Sequence, residues 1–317
     1  IDCQLIETAL LNLVNFQTLV ATKTARVIRA AQGNPVSDFG LRRAQGPDGG
    51  LAVARASYIA GASSTSNVLA GKIYRIPVFG THAHSWVMSF STELEAFRAF
   101  ARSFPKNCAL LLDTYDVHEG IKNAIIVGKE MEERGEKLGA VRIDSGDLAK
   151  LAKEARAAFD DAGLPYVKIS VSNDLDEYTI QSLFAQGAPI DSFGVGTKLA
   201  TCDPQPSLGG VYKLSAIREH KDEAWRPVIK LSEMAYKRTI PGIQSIRRYY
   251  DMSGCPIGDM IYDEAVLLAQ NVETSAVVTD ILDPYSTHKL AGTSQELMVR
   301  VVADGTRTKE AETIEVA

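Results

Sequence analysis

Residues 78–86 read Val-Phe-Gly-Thr-His-Ala-His-Ser-Trp. The apolar run Ile73–Phe79 is typical of a buried strand, and Gly80 permits a sharp turn at its end. We therefore predict a strand followed by a loop that carries two histidines. Parallel α/β folds keep their chemistry at the carboxyl ends of strands, which makes this loop a candidate site. A neutral imidazole is also a nucleophile and can carry a phosphoryl group.

Strand, polar loop and helix alternate on both sides of this stretch. Strands are predicted at residues 35–39, 73–79, 108–112, 139–143, 166–171 and 190–193. Helices are predicted at residues 5–31, 51–60, 92–104, 117–133, 147–162 and 174–187, with a further helix from residue 68. This alternation predicts a parallel sheet, and the number of repeats favours an α/β barrel or part of one.

From about residue 211 the pattern changes to short alternating segments. Candidate strands lie at residues 212–214, 227–231 and 247–250. Alternation of apolar and polar residues is typical of antiparallel sheets with one buried face. We therefore expect an α/β domain in residues 1–210 and a β-rich domain in residues 211–317.

Several loops after the predicted strands carry side chains or glycines suited to binding. They are Arg42, His84, Asp113, Arg142, Asp144, Asn173, Asp174 and Gly194–Thr197. The carboxyl ends of parallel strands meet at one edge of a sheet, so these groups should converge there. Asp113 is placed to orient His84 through a hydrogen bond. His82 and His84 face opposite sides of an extended segment, so only one should enter the site, and the spacing does not say which.

Two of these loops have the composition of phosphate or ribose sites. The run from Gly194 to Thr197 resembles a phosphate-binding turn, but Leu199 replaces the third glycine of a dinucleotide fingerprint. A tight strand-to-helix connection is the alternative reading. Asp144 and Asp147 could hold ribose hydroxyls or a magnesium ion, and Asp147 could equally be a first-turn helix charge.

Charge distribution narrows the class of ligand. The chain has a net charge of −5, which disfavours a general nucleic-acid surface. No acidic residue lies between Asp48 and Glu93, a window that holds Arg55, Lys72 and Arg75. This cationic run predicts a site for an anion, and a charge-poor buried segment is the alternative.

Cysteine spacing and hydropathy exclude further classes. The four cysteines are scattered without CxxC spacing, which predicts a cytoplasmic protein with neither a zinc site nor a disulfide framework. The uncharged stretch at residues 8–22 is too short and too polar to cross a bilayer. We therefore expect no membrane partner, no nucleic-acid partner and no metal held by the protein alone.

Six segments together resemble the nicotinate phosphoribosyltransferase family. They are residues 39–46, 66–71, 80–85, 141–148, 194–197 and 205–214, and they follow the family order. The resemblance implies a type II phosphoribosyltransferase fold, in which an irregular α/β barrel is joined to a β-rich open-faced sandwich domain. It also implies a cytoplasmic homodimer.

The resemblance further implies a reaction of NAD salvage. Nicotinate and phosphoribosyl pyrophosphate would give nicotinate mononucleotide and pyrophosphate, with ATP hydrolysis coupled through a phosphohistidine and Mg²⁺ accompanying ATP. The phosphohistidine matches His84 rather than His82, and the orienting carboxylate matches Asp113. The nicotinate pocket matches Phe39, Arg42, Thr81 and Arg142. The positions for phosphoribosyl pyrophosphate or the product phosphate match Asp144, Asn173, Asp174, Gly194, Gly196 and Thr197.

Three alternatives stay open. Nicotinamide phosphoribosyltransferases share the fold and the histidine but place an aspartate near the base amide, where this chain has Asn67, and that asparagine favours an anionic base. The quinolinate phosphoribosyltransferase family lacks the histidine loop. Family members also carry a segment before the position of Ile1 that completes the site across the dimer interface. We therefore expect a fragment, and an inactive structural remnant is the third alternative, although intact His84, Arg142 and Asp144 argue against it.

Overall fold

The computed structural model describes residues 2–220, 222–233, 239–267, 272–310 and 314. The chain divides into two compact units, of which one is Ile1–Gly210 with Glu312–Ala317 and the other is Val211–Ala311. The first unit alternates strands with helices, and the second is built of antiparallel strands.

The first unit is organised around a sheet of six parallel strands. These are β1 (Val36–Asp38), β2 (Ser64–Thr65), β3 (Ala109–Leu111), β4 (Ala140–Ile143), β5 (Lys168–Val171) and β6 (Ser192–Val195). Their order across the sheet is β2-β1-β6-β5-β4-β3. This curled half-barrel confirms the α/β class that the alternating pattern predicts.

Helices surround this sheet, joined to the strands by short loops. They are α1 (Asp2–Ala30), α2 (Gly46–Ile59), α3 (Val68–Tyr74), α4 (His84–Met88), α5 (Glu93–Ser103), α6 (Val117–Glu133), α7 (Leu148–Asp161), α8 (Glu177–Ala185) and α9 (Thr197–Ala200), with a 3₁₀ helix at Leu41–Arg43. In α7 the apolar residues at helical spacing, Ala152, Ala155 and Phe159, are buried, as the amphipathic pattern predicts.

The core of the first unit comes from its strands, of which β1 and β3 are buried along their whole length and β4 at alternate residues. One hydrophobic cluster includes a residue from each of five strands, and each of these five residues is at most 1% exposed. They are Val36, Leu110, Val141, Ile169 and Phe193. Continuous apolar strands of this kind are typical of a parallel sheet covered by helices. The sheet is therefore rigid, and the loops at its carboxyl edge start from fixed points.

One strand prediction in this unit is wrong. The run Ile73–Phe79 does not form a strand, because α3 continues to Tyr74 and only Val78 makes a single parallel bridge, to Thr65. The strand lies earlier, at Ser64–Thr65. A search for apolar residues does not find this strand, because its buried side chains are polar and satisfied by hydrogen bonds. The Ser64 hydroxyl pairs with that of Ser37, and the Thr65 hydroxyl donates to Asp38.

Two predicted helix starts are also shifted. The N-cap of α8 is Asp176, which accepts a hydrogen bond from Thr179 N at 2.7 Å, and Asp174 remains in the preceding loop. Helix α2 begins at Gly46, five residues before its predicted start at residue 51. Pro47 stands in its first turn, where proline lacks only a hydrogen bond that the helix start does not use.

Helix α1 is half exposed and half buried. Residues 4–30 are long and apolar enough to cross a membrane by length and composition alone, a test that core helices also pass. Its second half buries Val20 and Val27 in the core. Lys23 makes a buried ion pair with Glu177 of α8 at 2.5 Å. These contacts make the second half of α1 a core element of the first unit.

The second unit contains short antiparallel sheets. Its strands are β7 (Ala216–Ile217), β8 (Arg226–Pro227), β9 (Gln244–Tyr250), β10 (Pro256–Asp263), β11 (Ser275–Thr279), β12 (Thr287–Ala291), β13 (Thr293–Glu296), β14 (Val302–Ala303) and β15 (Thr306–Arg307), with helix α10 at Glu264–Leu267. Strands β10, β9 and β13 form one sheet around buried Tyr249.

The strands predicted at the start of the second unit are misplaced, whereas the predicted segment 247–250 lies in β9. Residues 212–214 are not a strand, and segment 227–231 overlaps β8 only at Pro227. The hairpin pairs Ala216 with Pro227 and Ile217 with Arg226 instead. Two-residue strands of this kind carry too few residues to show a periodic pattern.

Candidate active site

Arg142 lies at the centre of the polar groups at the carboxyl edge of the sheet. From β4 its Nε donates to Ser172 Oγ at 2.7 Å, and one terminal nitrogen donates to Thr81 Oγ1 at 2.9 Å. The other terminal nitrogen donates to Asp144 Oδ1 at 2.9 Å. These described contacts use three of the five N–H groups of a guanidinium, which leaves two for a ligand. Arg142 is also only partly exposed, so its charge acts in a region of reduced dielectric.

Asp144 joins this guanidinium to the histidine loop. Its Oδ1 also accepts a hydrogen bond from the Ser172 hydroxyl, and its Oδ2 lies 3.9 Å from His84 Nε2. The carboxylate thus lies between a fixed cation and an imidazole. The carboxylate therefore attracts the His84 imidazole electrostatically and favours one orientation of the ring, although the 3.9 Å distance is too long for a hydrogen bond.

The two histidines have opposite environments, as the extended segment predicts. His84 is the first residue of α4, its side chain is 42% exposed, and its Nδ1 lies 3.2 Å from Thr114 Oγ1. His82 is buried, and its Nε2 accepts a hydrogen bond from Leu111 N at 3.2 Å. Burial lowers the pKa of His82 to about 4, so its ring is neutral at physiological pH. Of these two imidazoles, therefore, only that of His84 faces the site.

The predicted hydrogen bond between Asp113 and His84 is wrong. Asp113 Oδ2 accepts instead from the backbone N of Asp144 at 2.9 Å and from Ser145 Oγ at 2.6 Å. The physical reason is that the adjacent loop offers two donors to this carboxylate, while the Thr114 hydroxyl occupies His84 Nδ1. Asp113 therefore shapes the loop that carries Asp144, and its Oδ1 is buried without a partner among the described residues.

The loop after β5 holds two non-glycine residues in left-handed backbone conformations. Asn173 has φ 96° and Asp174 has φ 41°. Such conformations cost about 1–3 kcal/mol each and are concentrated at functional sites. Both side chains are exposed, directly after Ser172, which binds Arg142 and Asp144. These two predicted phosphoribosyl residues therefore leave the strand direction directly after Ser172, the residue after β5 that binds Arg142 and Asp144.

Gly194 in β6 makes room for the Phe39 ring, and Gly196 directly after β6 makes room for the Phe39 backbone. A Cβ atom at Gly194 would lie 2.6 Å from the Phe39 ring, and one at Gly196 would lie 3.1 Å from the Phe39 carbonyl oxygen. The Phe39 ring centroid is 5.2 Å from the Arg142 guanidinium carbon. Close packing of Phe39 thus explains both glycines, which favours the tight strand-to-helix connection. Thr197 follows as the first residue of α9.

Two positively charged residues singled out in the sequence make no described hydrogen bond or ion pair with this cluster. Arg42 is exposed in the 3₁₀ helix, and the part of the chain that the structure describes offers it no hydrogen bond or ion pair. Arg55 donates to Gln17 of α1 at 2.9 Å, so it has a structural contact. The cationic window is therefore only partly a ligand site.

Asn67 does not have the environment of a base-contacting residue. It is 4% exposed and caps α3, accepting a hydrogen bond from Ala70 N at 3.1 Å. Its own N–H donates to Thr65 Oγ1, which in turn donates to the buried Asp38. Desolvation by burial raises the pKa of Asp38. The inference that Asn67 selects an anionic base is therefore not supported by its position.

Sequence reasoning missed several residues that the fold brings to the site. Thr114 and Ser172 contact His84 and Arg142, although each stands beside a residue that was singled out. Lys198 binds Asp176 at 2.6 Å and so joins the loop after β5 to α9. Desolvation opposes ionisation of Asp176, but hydrogen bonds from Lys198 and Thr179 lower its pKa to about 2. The sequence signal that could have found Thr114 and Ser172 is a hydroxyl side chain in the loop directly after a predicted strand.

Comparison with known proteins identifies relatives with this arrangement. The sequence pattern of the Nicotinate phosphoribosyltransferase (NAPRTase) family matches residues 35–252. The chain is 49% identical over 271 residues to a nicotinate phosphoribosyltransferase of Bacillus subtilis, covering 84% of this chain and 54% of that one. It is 50% identical over 216 residues to one from Mycobacterium tuberculosis, covering 68% of this chain and 46% of that one.

A solved structure shares the fold. The crystal structure of human nicotinic acid phosphoribosyltransferase superposes with a TM-score of 0.82 and 30% identity, over 98% of this chain and 68% of that one. The curled parallel sheet with additional antiparallel sheets is thus the architecture of that enzyme. The chain spans about half the length of the two bacterial relatives.

Proposed function

The chain belongs to the nicotinate phosphoribosyltransferase family, and from this membership we propose that it takes part in joining nicotinate to phosphoribosyl pyrophosphate. The products are nicotinate mononucleotide and pyrophosphate, in NAD salvage. The observation that carries the proposal is the Arg142 guanidinium, which is fixed by three side chains, lies beside the Phe39 ring and keeps two N–H groups for a ligand. A flat aromatic carboxylate is the ligand that suits a fixed guanidinium beside a ring.

The base pocket is formed by residues from four loops. The carboxylate of nicotinate accepts hydrogen bonds from Arg142, with the Thr81 hydroxyl next to it. Phe39 supplies an aromatic surface for the pyridine ring, and exposed Arg42 supplies a second cation. Nicotinamide lacks the anionic group, so it gains less from this pair of cations.

The phosphoribosyl group binds at the neighbouring loops. Asn173, Asp174 and Asp144 face the ribose and diphosphate, and the backbone at Gly196 and Thr197 faces a phosphate, whereas Gly194 is buried against the Phe39 ring. The pyridine nitrogen attacks C1′ of the ribose, a new N–C1′ bond forms, and the C1′–O bond breaks. The electron pair of that bond leaves with pyrophosphate, so positive charge that develops at the ribose is stabilised by nearby carboxylates.

ATP hydrolysis is coupled through His84. An N–P bond forms between a ring nitrogen of His84 and the γ-phosphorus as the P–O bond breaks and ADP leaves. Water then attacks the phosphorus, the N–P bond breaks, and inorganic phosphate and the free imidazole are released. Thr114 lies at Nδ1, which leaves Nε2 as the atom for transfer. Asp113 supports this step indirectly, through the backbone and side chain of the loop that carries Asp144.

Mg²⁺ enters with the polyphosphate substrates in this scheme. The described residues contain no cluster of three or more His, Cys, Asp or Glu suited to a metal. Mg²⁺ bound through substrate phosphates needs only one or two carboxylates, and Asp144 and Asp174 can supply them. A bound ion would neutralise charge on the pyrophosphate.

We further infer that the protein acts as a cytoplasmic homodimer with no membrane or nucleic-acid partner.

Competition between labelled nicotinate and nicotinamide, with phosphoribosyl pyrophosphate and ATP, tests the substrate class. We expect nicotinate mononucleotide as the main product. Label from γ-labelled ATP should appear as an acid-labile adduct in the wild type and be absent in His84→Ala. The exposed His118 provides the matched control, because His118→Ala should keep the label. A preference for nicotinamide would overturn the substrate assignment, and label retained in His84→Ala would overturn the role of His84.

A further inference from the structure

The half-barrel has two edge strands, and one segment of chain contacts both of them. At the β2 edge, Thr65 N donates to Pro77 O at 3.0 Å, and Phe79 N donates to Thr65 O at 3.1 Å. At the β3 edge, Leu111 N donates to His82 Nε2 at 3.2 Å. Residues 77–82 therefore bridge the gap between β2 and β3, first by backbone and then by a side chain.

The edge of β3 requires an acceptor at the position that His82 fills. Leu112 N donates to Arg142 O of β4, and successive N–H groups of a strand point to opposite sides. The N–H of Leu111 therefore points away from β4, and Leu111 is 1% exposed, so water does not replace a missing partner. A buried N–H without an acceptor costs about 1–3 kcal/mol. The imidazole acts here as the acceptor that a further strand would otherwise provide.

Aromatic packing fixes the position of this imidazole. The His82 ring lies edge-on to Phe100 with 4.8 Å between centroids, and 5.7 Å from Phe97. Burial, with the nearby positive charge of Arg142, holds the ring in its neutral form. A neutral ring that accepts at Nε2 carries its proton on Nδ1, which is buried without a hydrogen-bond partner among the described residues, so the Leu111 contact and the aromatic packing alone define the tautomer and the ring orientation.

The residues next to His82 belong to the candidate site. Thr81 Oγ1 donates to the carbonyl oxygen of His82 and accepts from Arg142. His84 follows two residues later and contacts Thr114. A shift of the His82 ring would therefore move Thr81 away from Arg142 and would move His84 relative to Asp144.

We propose that His82 is a positioning residue, which fixes the loop carrying Thr81 and His84 by accepting the hydrogen bond of the β3 edge. This inference rests on the proposed function for its effect on turnover. His82 does not carry the phosphoryl group, because its Nε2 lone pair is occupied by Leu111 and the ring is buried. Its contribution reaches the reaction only through its sequence neighbours.

Steady-state kinetics of three variants of the whole chain test the proposal. His82→Gln keeps a hydrogen-bond acceptor at a similar distance from the backbone, so its kcat should stay close to that of the wild type. His82→Leu removes the acceptor, and kcat should fall about tenfold to a hundredfold, as expected for a displaced catalytic loop. The KM for phosphoribosyl pyrophosphate should stay unchanged, because its residues lie on other loops. Phe159→Leu in α7 is the control, since it loosens the buried core without changing a ring that contacts His82, so it should lower the melting temperature and keep kcat.

Histidine-selective isotope labelling gives a readout that does not depend on turnover. The chain has five histidines, so each NMR signal can be assigned by substitution. In His82→Leu the His84 signal should shift or broaden, while the signals of His118, His220 and His288 stay in place. If His82→Leu does not fold, His82→Asn replaces it, because its shorter side chain does not reach Leu111.

Several outcomes would overturn the proposal. These are a non-accepting variant with wild-type kcat and an unmoved His84 signal, and a Gln variant that loses as much activity as the Leu variant. If the wild type does not use nicotinate, the proposed function fails, and the His84 signal still decides whether His82 positions the loop.

Discussion

Lys198 Nζ lies 2.6 Å from Asp176 Oδ2, and this ion pair joins the loop after β5 to the first turn of α9. Asp176 also caps α8 by accepting from Thr179. The Asp176 carboxylate therefore fixes the start of α8 and also the start of α9. Because the strained residues Asn173 and Asp174 lie just before it, the same contact limits how far their loop can relax.

The first prediction concerns the ionisation of Asp176. Its pKa is about 2 in the folded protein and near 3.8 without these contacts. A carboxylate with a lowered pKa stabilises the fold above pH 3.8, and that contribution is lost as the pH falls towards 2. Asp176→Asn should therefore lower the free energy of unfolding by about 2 kcal/mol at pH 6. Urea titrations at several pH values measure this difference.

The difference between wild type and Asp176→Asn should shrink as the pH falls below 4. Asp161→Asn at the exposed end of α7 is the control, and it should change the free energy of unfolding by less than about 0.5 kcal/mol. A constant difference at all pH values would show that packing, rather than the carboxylate charge, determines the effect.

The second prediction concerns acid stability and His82. Burial lowers the pKa of His82 to about 4 from 6.5, so the unfolded chain binds a proton more readily than the folded one. The stability that the neutral ring contributes is full above pH 6.5 and is lost as the pH falls towards 4. The free energy of unfolding should fall by up to about 3 kcal/mol across this window. In His82→Gln this part of the pH dependence should disappear.

Measurement of unfolding by urea at intervals from pH 7 to pH 4.5 checks this prediction. The exposed His118 serves as the reference, because His118→Gln should leave the wild-type slope intact. Equal slopes in wild type and His82→Gln would mean that other groups cause the acid sensitivity.

The third prediction concerns base selection by Arg142. A hydrogen bond between charged groups contributes about 1.5–3 kcal/mol, which corresponds to about a tenfold to hundredfold change in affinity. Arg142→Met should therefore weaken nicotinate binding by that factor and narrow the preference over nicotinamide. Arg142→Lys keeps the charge but loses the fork of donors, so its effect should be smaller. Competition assays with both bases give the ratio directly.

Substitution of Arg142 also removes the ion-pair partner of Asp144, so the kinetic measurements must separate this effect from the change in base selection. Changes in the KM for phosphoribosyl pyrophosphate report on Asp144, whereas the ratio between the two bases reports on Arg142. An unchanged base ratio in Arg142→Met would contradict the assignment.

The fourth prediction concerns Gly194 and Phe39. An added Cβ would lie 2.6 Å from the Phe39 ring, so the ring must move. Gly194→Ala should therefore raise the KM for nicotinate several-fold, because displacement of a packed ring of this kind costs about 1–3 kcal/mol. The KM for phosphoribosyl pyrophosphate should change less. Gly209→Ala is a suitable control, because nothing lies within 4 Å of its added Cβ.

Steady-state kinetics with each substrate varied in turn separate the two effects. A larger change for phosphoribosyl pyrophosphate than for nicotinate would show that Gly194 serves a phosphate, as the sequence motif alone predicts, and that the Phe39 ring adapts to the new side chain.

The parts of the fold that the sequence predicts are those with long periodic patterns. Helix α7 and strand β4 repeat apolar residues often enough to be recognised. Strand β2 consists of Ser64 and Thr65, whose burial depends on Ser37 and Asp38 in a neighbouring strand. The run Ile73–Phe79 has the composition of a strand, but the cap at Asn67 starts a helix that covers its beginning. Pairing partners distant in sequence decide both cases.

The candidate site shows the same limit. The order of strand ends places Arg142, Asp144 and His84 on one edge, and the structure brings these three together. The partner of Asp113 could not be predicted, because it depends on the path of the next loop, whose backbone N–H and Ser145 hydroxyl reach the carboxylate first. The spacing of residues along the chain predicts which edge of the sheet a side chain reaches, but it does not predict the hydrogen bonds that the side chain makes there.

The buried ion pair between Lys23 and Glu177 decides where the first unit can be shortened. The family match begins at residue 35, yet Glu177 of α8 finds its cation on α1. A polypeptide starting at residue 35 would keep a buried carboxylate without its cation, a loss of about 3–5 kcal/mol, and would uncover the core around Val20 and Val27. That loss is comparable to the whole stability of a marginal domain. The start of the family match and the start of the stable folding unit therefore differ, and we expect a shortened polypeptide that folds to begin before Lys23.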